Sequence, residues 1–267
     1  MQFDYKSNVV KAKIPNLNVT SLQATPSIKG CFLKAYDNNV YYKLSNFDSY
    51  FKTFGNESLY EVIASRAGNL MGFPVLDYWL CKGKVSIDNE FISTAFCASL
   101  DFNTEKKKKI SIETLYKLKK YDKEDILSFC KRMNISKYIY SIMIFDYVIC
   151  NRDRHGANIE FLIDSKEIIP TPIFDNGVCL MFSCLNEEAI ERFDVTSNPR
   201  VNNYIGSQDL EFNLSLIDEK IDFNLISYSD RDFIFKNMED LLSNKHKSKI
   251  MDMLVWRCEY AKEILDT

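Results

Sequence analysis

Three residues in the middle of the chain have the types and spacing that could do chemistry. Asp153 lies in NRDRHGAN at 151–158, Asn158 closes that run five positions later, and Asp175 opens DNG, 17 positions beyond Asn158. One carboxylate can accept or orient the proton of an attacking hydroxyl. A second can hold Mg²⁺ between phosphate oxygens, and a neutral amide oxygen can complete the metal's shell without adding negative charge. Given in that order to Asp153, Asp175 and Asn158, these roles amount to transfer of the terminal phosphate of ATP. Each fragment alone also reads as turn chemistry, since Asp153 can cap a turn and Asp-Asn-Gly can start one. The combination is more specific. Between the two aspartates lie an apolar run, IEFLI from Ile159, a polar turn at 164–166, and a second β-prone run from Ile168, as a short strand pair would require.

The flanking sequence supplies elements to position these groups. Asn134 can cap a helix from Ile135 to about Cys150, and the Tyr- and Phe-rich spacing there reads as core packing. Its longest apolar stretch, Tyr138 to Cys150, contains Asp146 and is too short to span a bilayer. Upstream, GCFLKAYDNNVYYKL at 30–44 reads as a hairpin turning at 37–39, and NESLYEVIASRAGNLMG at 56–72 as a helix ended by Gly72 and Pro74. Strands follow at Val75 to Leu80 and Glu90 to Phe96, with Lys82, Gly83 and Lys84 as the turn. Beyond residue 100 helical patterns dominate, at Lys123 to Arg132, Asp230 to Leu242 and Ser248 to Leu265. The expected fold is α+β and two-lobed: a β-rich N-lobe over 1–97, a mainly helical C-lobe over 98–267, and a nucleotide cleft between them. A formal charge of −3 gives no global basic field for nucleic acid, and the lysines at 106–109 read as a solvated loop. Eight cysteines without a CxxC pair, beside two histidines, argue against zinc and for a reducing cytoplasm. MQFDYKSNVV has no signal-peptide pattern, which leaves secretion by a leaderless route as the other option.

The spacing from Asp153 to Asn158 matches the HRDxxxxN loop of protein kinases, and Asp175-Asn176-Gly177 resembles their Asp-Phe-Gly element. More closely, the chain resembles the HipA-like serine/threonine kinases, in their small stand-alone bacterial branch. The motif residues are Asn151, Asp153, Arg154, His155 and Asn158, then Ile173 to Gly177, with Asp146 seven positions before Asp153. That resemblance spans roughly residues 25–180 and implies a protein kinase-like fold using ATP and Mg²⁺. It makes Asp153 the catalytic base and Asn158 and Asp175 the metal ligands. It places the ATP-binding lysine at Lys43, held by Glu61, which stands eleven positions before Gly72. It sets the adenine contact at the backbone near Ser93 to Phe96.

The sequence also departs from kinase patterns. It has eight glycines and no GxGxxG, so the candidate phosphate lid is Thr25 to Gly30, with Ser27 and Lys29 as contacts. An ordinary loop reads equally well there. Lys34 competes with Lys43, His155 reads as structural, and Arg154 could meet a phosphate or pair with Asp146. The expected acceptor is a protein Ser, Thr or Tyr hydroxyl, with no direct nucleic-acid contact; no antitoxin-like or host partner is named by the sequence. The alternatives are a small-molecule or lipid kinase of related fold, or a catalytically silent kinase-like binding module. The segment 185–210, where kinases carry an activation segment, is expected to be mobile and phosphorylated at Ser183, Thr196, Ser197 or Ser207.

Overall fold

The computed structural model describes residues 17–18, 34–48, 50, 53–87, 90–164, 167–184 and 186–266. The N-terminal part is built on a five-stranded sheet. Its strands are β1 (Leu17–Asn18), β2 (Lys34–Asp37), β3 (Val40–Lys43), β6 (Trp79–Ile87) and β7 (Glu90–Leu100), in the order β1-β6-β7-β3-β2. A separate small hairpin pairs β4 (Phe47–Asp48) with β5 (Thr53–Phe54). The β2–β3 turn is the expected one. Asn38 and Asn39 take φ values of 48° and 64°, the left-handed pair a tight two-residue hairpin needs.

Helix α1 (Glu57–Met71) covers one face of this sheet. It ends as the sequence signals: Gly72 has φ 83°, and the amide of Phe73 reaches back to Gly68 O at 3.0 Å. The expected turn at Lys82–Lys84 is instead strand, because β6 pairs with β7 without a break from Trp79↔Ala98 to Ile87↔Glu90. Gly83 is what the pairing uses there. A Cβ at that position would stand 3.3 Å from the Phe96 ring, so the glycine makes room for Phe96 rather than for a turn. The strand expected over Val75 to Leu80 begins only at Trp79, where β6 starts, and Val75 itself makes a single parallel bridge with Ile173. Strand β7 runs past Phe96 to Leu100.

The remainder is mainly helical. Strand β8 (Lys108–Ser111) leads into α2 (Ile112–Lys119), and α3 (Ile126–Arg132) is capped by Asp125. Helix α4 (Ser136–Val148) is buried on nearly every side, as an all-round apolar helix must be. Then come β9 (Asp153–Arg154), β10 (Glu160–Asp164) and β11 (Glu167–Pro170), with β10 antiparallel to both β8 and β11. Helices α5 (Glu187–Arg192), α6 (Leu210–Leu214), α7 (Arg231–Ile234) and α8 (Asn244–Asp266) complete the chain, with β12 (Asn202–Asn203) between α5 and α6. The helix expected to reach Leu242 stops at Ile234. The Arg66 guanidinium of α1 takes the carbonyls of Ile234 and Lys236 at 2.8 and 3.0 Å, so Ile234 O serves α1 rather than a further turn of helix. Among the described residues no helix is long and apolar enough to cross a membrane.

Candidate active site

Side-chain alternation along β3 sorts its residues onto two faces. Tyr42 joins Val40, Leu44, Cys81, Phe96 and Ala98 in a small apolar cluster on one face. Lys43 stands on the other, opposite Cys97 in register, on the side where Leu80 and Cys97 join the α1 core. There its ammonium bonds Glu61 of α1 and reaches Asp175 Oδ1 at 2.6 Å, so groups 18 and 132 positions away in sequence meet at one nitrogen. Lys43 is 7% exposed and Glu61 0%. Burial pushes the Lys43 ammonium down, but Asp175 and Glu61 outweigh it and hold it well above the ordinary lysine value. Burial pushes Asp175 up, and the charges of Lys43, Lys34 and Arg154 overcome this, keeping its carboxyl well below the usual carboxylate range.

Asp175 sits in the left-handed region, φ 61°, a conformation Asp adopts more readily than most residues but at some cost. Both of its neighbours are pinned. Phe174 O accepts from Arg154 Nη1 at 2.6 Å, and the Asn176 amide donates to Glu61 Oε2 at 2.9 Å. Arg154 also bonds the Asn176 side chain and forks onto Asp146, at 3.0 Å from Nε and 2.8 Å from Nη2. Of the two partners open to Arg154, the structure therefore selects Asp146. Asn151 Nδ2 adds a third donor to that carboxylate at 2.9 Å.

Asp153 and Asn158 lie on the same loop. Asn158 closes a single 3-10 turn, Gly156–Asn158, and its Nδ2 meets Asp153 O at 3.3 Å. Asp153 is half-buried, and its Oδ1 accepts from Asn202 Nδ2 at 2.7 Å, a partner the sequence did not suggest. Asn158 and Asp175 offer an amide and a carboxylate oxygen, the hard donors Mg²⁺ takes, and a carboxylate kept ionised fits that ion. Among the described residues no group of three or more His, Cys, Asp or Glu is gathered for a metal.

Ser27 and Lys29 are outside the described residues. Ser93 is exposed, and Phe96 is buried on the face opposite Lys43. The chain leaves the sheet after Leu100, where Asp101 N donates to Asn39 O at 2.8 Å. Beside that exit Phe102 packs on Phe174, centroids 5.8 Å apart, and Lys109 lies 4.4 Å from the Phe102 ring. Glu160 is nearby. Burial raises its carboxyl, with Asp101 and Asp175 adding to the rise and Lys109 opposing it. The aromatic pair and Glu160 had no motif to announce them. The segment after α5, expected to be mobile, pairs with the loop that bears Asp153: β12 runs parallel to β9.

No protein-family profile matches the sequence, and no curated protein matches it. Solved structures do. The Helicobacter pylori proinflammatory kinase CtkA superposes with a TM-score of 0.59 at 19% identity, covering 94% of this chain and 97% of that one. The chain has a CtkA-like kinase fold. Shewanella oneidensis MR-1 HipA, from its complex with HipB and operator DNA, gives a TM-score of 0.46 at 13% identity, covering 90% of this chain and 67% of that one. The hydra Fam20 structure with sugar gives 0.44 at 13% identity, covering 90% and 84%.

Proposed function

We propose that the protein is an ATP- and Mg²⁺-dependent phosphotransferase whose acceptor is a protein hydroxyl, Ser or Thr ahead of Tyr. The observation that carries this reading is the meeting of Lys43, Glu61 and Asp175, drawn from a strand, a helix and a loop, next to the loop that bears Asp153 and Asn158. Lys43 binds phosphate oxygens and Glu61 holds it in place. Asp175 and Asn158 hold Mg²⁺, which when bound neutralises charge on the phosphates. Asp153 takes the proton of the acceptor hydroxyl. The acceptor oxygen forms a bond to the γ-phosphorus as the bond to the β–γ bridging oxygen breaks, and ADP leaves with that electron pair. We assign the adenine of ATP to the exit of β7 at 100–102, beside Tyr41, rather than to the backbone near Ser93 to Phe96. The two lobes are 1–97 and 98–267, to within the three residues by which β7 overruns that division.

The test is radiolabelled Mg-ATP with cell lysate, followed by phosphoamino-acid analysis. Asp153→Asn is expected to lower transfer by about 10²- to 10⁴-fold, with label on serine or threonine in the wild type. Equal labelling by the two proteins would sink the mechanism.

A further inference from the structure

The polar segment between α5 and α6 touches the proposed base through one side chain. Asn202 N donates to Arg152 O at 2.9 Å and Tyr204 N to Arg154 O at 3.0 Å, which lays β12 alongside β9. That pairing sets the Asn202 side-chain amide against Asp153 Oδ1 at 2.7 Å. The segment is held from several directions. Val201 and Ile205 are buried, Val201 N donates to Gln208 O at 2.9 Å, and Asn213 bonds both the amide and the carbonyl of Ser207. From α8, buried Arg257 donates to Ser197 O at 2.9 Å.

We propose that Asn202 is a positioning residue for Asp153, and that its segment keeps it in place by these bonds rather than through a phosphorylated side chain. The inference rests on the reading of Asp153 as the proton acceptor. A carboxylate has two oxygens. A neutral N–H donor on Oδ1 fixes the carboxylate's rotation and leaves Oδ2 to receive the acceptor's proton. An amide does this without bringing a second charge to the site. Orientation of a base by a fixed neighbour acts on the reacting geometry rather than on nucleotide affinity. The kinase is then competent as synthesised, without prior phosphorylation of Thr196, Ser197 or Ser207.

The experiment uses the purified full chain as wild type, Asn202→Ala, Asn202→Asp, Asp153→Asn and the triple variant Thr196→Ala/Ser197→Ala/Ser207→Ala. Phosphate transfer from Mg-ATP is read to water and to myelin basic protein, alongside the Kd of a fluorescent nucleotide and the Tm. Asn202→Ala is expected to lower kcat about 10-fold or more, and Asn202→Asp further, because it sets a carboxylate against a carboxylate. KM for ATP, nucleotide Kd and Tm stay at wild-type values, and the triple variant keeps wild-type kcat. Wild-type kcat in both Asn202 variants, with Asp153→Asn silent, would overturn this inference alone. So would a kcat loss matched by an equal loss of nucleotide affinity or by a fall in Tm, which would mark a merely structural role. Loss of activity in the triple variant would overturn the claim of independence from phosphorylation. If Asp153→Asn transfers as well as wild type, or wild type transfers nothing, the parent reading falls and this inference with it.

Discussion

At the scale of single residues, Lys43 is where stability and chemistry meet. Its ammonium is buried between two carboxylates, and removing it leaves both of them short of a countercharge. Taking one partner from a buried ion pair costs about 3–5 kcal/mol, far more than the same change at a surface pair. Lys43→Met is therefore expected to lose stability on that order in urea denaturation and to lose phosphate transfer as well. Adding Glu61→Gln removes one of the orphaned charges. The double variant should be less destabilised than the two single changes summed, a coupling that a double-mutant cycle measures. Surface pairs such as Lys117–Glu113 should show almost no such effect.

At the scale of elements, α1 carries Glu61 and touches both halves of the site. Gly68 lets it lie against Val75, since a Cβ at 68 would come 2.4 Å from Val75 Cγ1. Val75 bridges Ile173, with Leu76 N donating to Ile173 O at 2.9 Å and Ile173 N to Pro74 O at 2.7 Å, so the same contact sets the approach to Asp175. Gly68→Ala gains about 1 kcal/mol of helix propensity and loses about 1–3 kcal/mol to overpacking. A net loss is expected by thermal or urea unfolding, partly relieved when Val75→Ala is added. The outer side of α1 meets α8, where Tyr60 OH and His246 Nε2 lie 2.9 Å apart. Burial lowers the His246 pKa below its ordinary 6.5, with Glu187 opposing. The unfolded chain then binds more protons than the folded one as pH falls from 6.5 towards the folded value, so stability is lost across that window. His246→Phe should flatten the dependence in urea melts run from pH 7.5 to 5.

At the scale of the whole molecule, α8 closes the C-terminal part by holding pieces remote in sequence. Arg257 donates to Tyr147 O on α4 at 2.7 Å and to Ser197 O in the β12 segment, and packs over the Tyr147 ring. The amides of Asn202 and Tyr204, bonded to Arg152 and Arg154 on the Asp153 loop, should exchange with solvent about as slowly as those of α4 in native-state hydrogen exchange. Arg257→Ala is expected to raise exchange at both amides and to open the segment to limited proteolysis, while leaving the β2–β3 hairpin protected.

Much of this was legible locally. The Asn38–Asn39 turn, the Gly72 helix end, the periodicity of α1 and α8, and the spacing of Asp153, Asn158 and Asp175 all report on backbone conformation or side-chain order within a few residues. Lys82-Gly83-Lys84 shows the limit: the same tripeptide suits a turn or a strand, and only the pairing with Lys84↔Ser93 and Lys82↔Ala95 decides. The helix expected to Leu242 failed because Arg66, 168 positions from Ile234, takes its carbonyl. Likewise Asp146 as the partner of Arg154, and Asn202 as the neighbour of Asp153, depended on the tertiary structure. The sequence by itself determined which groups are present and in what order. Their assembly into one site depends on burial and hydrogen bonding between segments far apart in the chain, and local propensity carries no record of those partners.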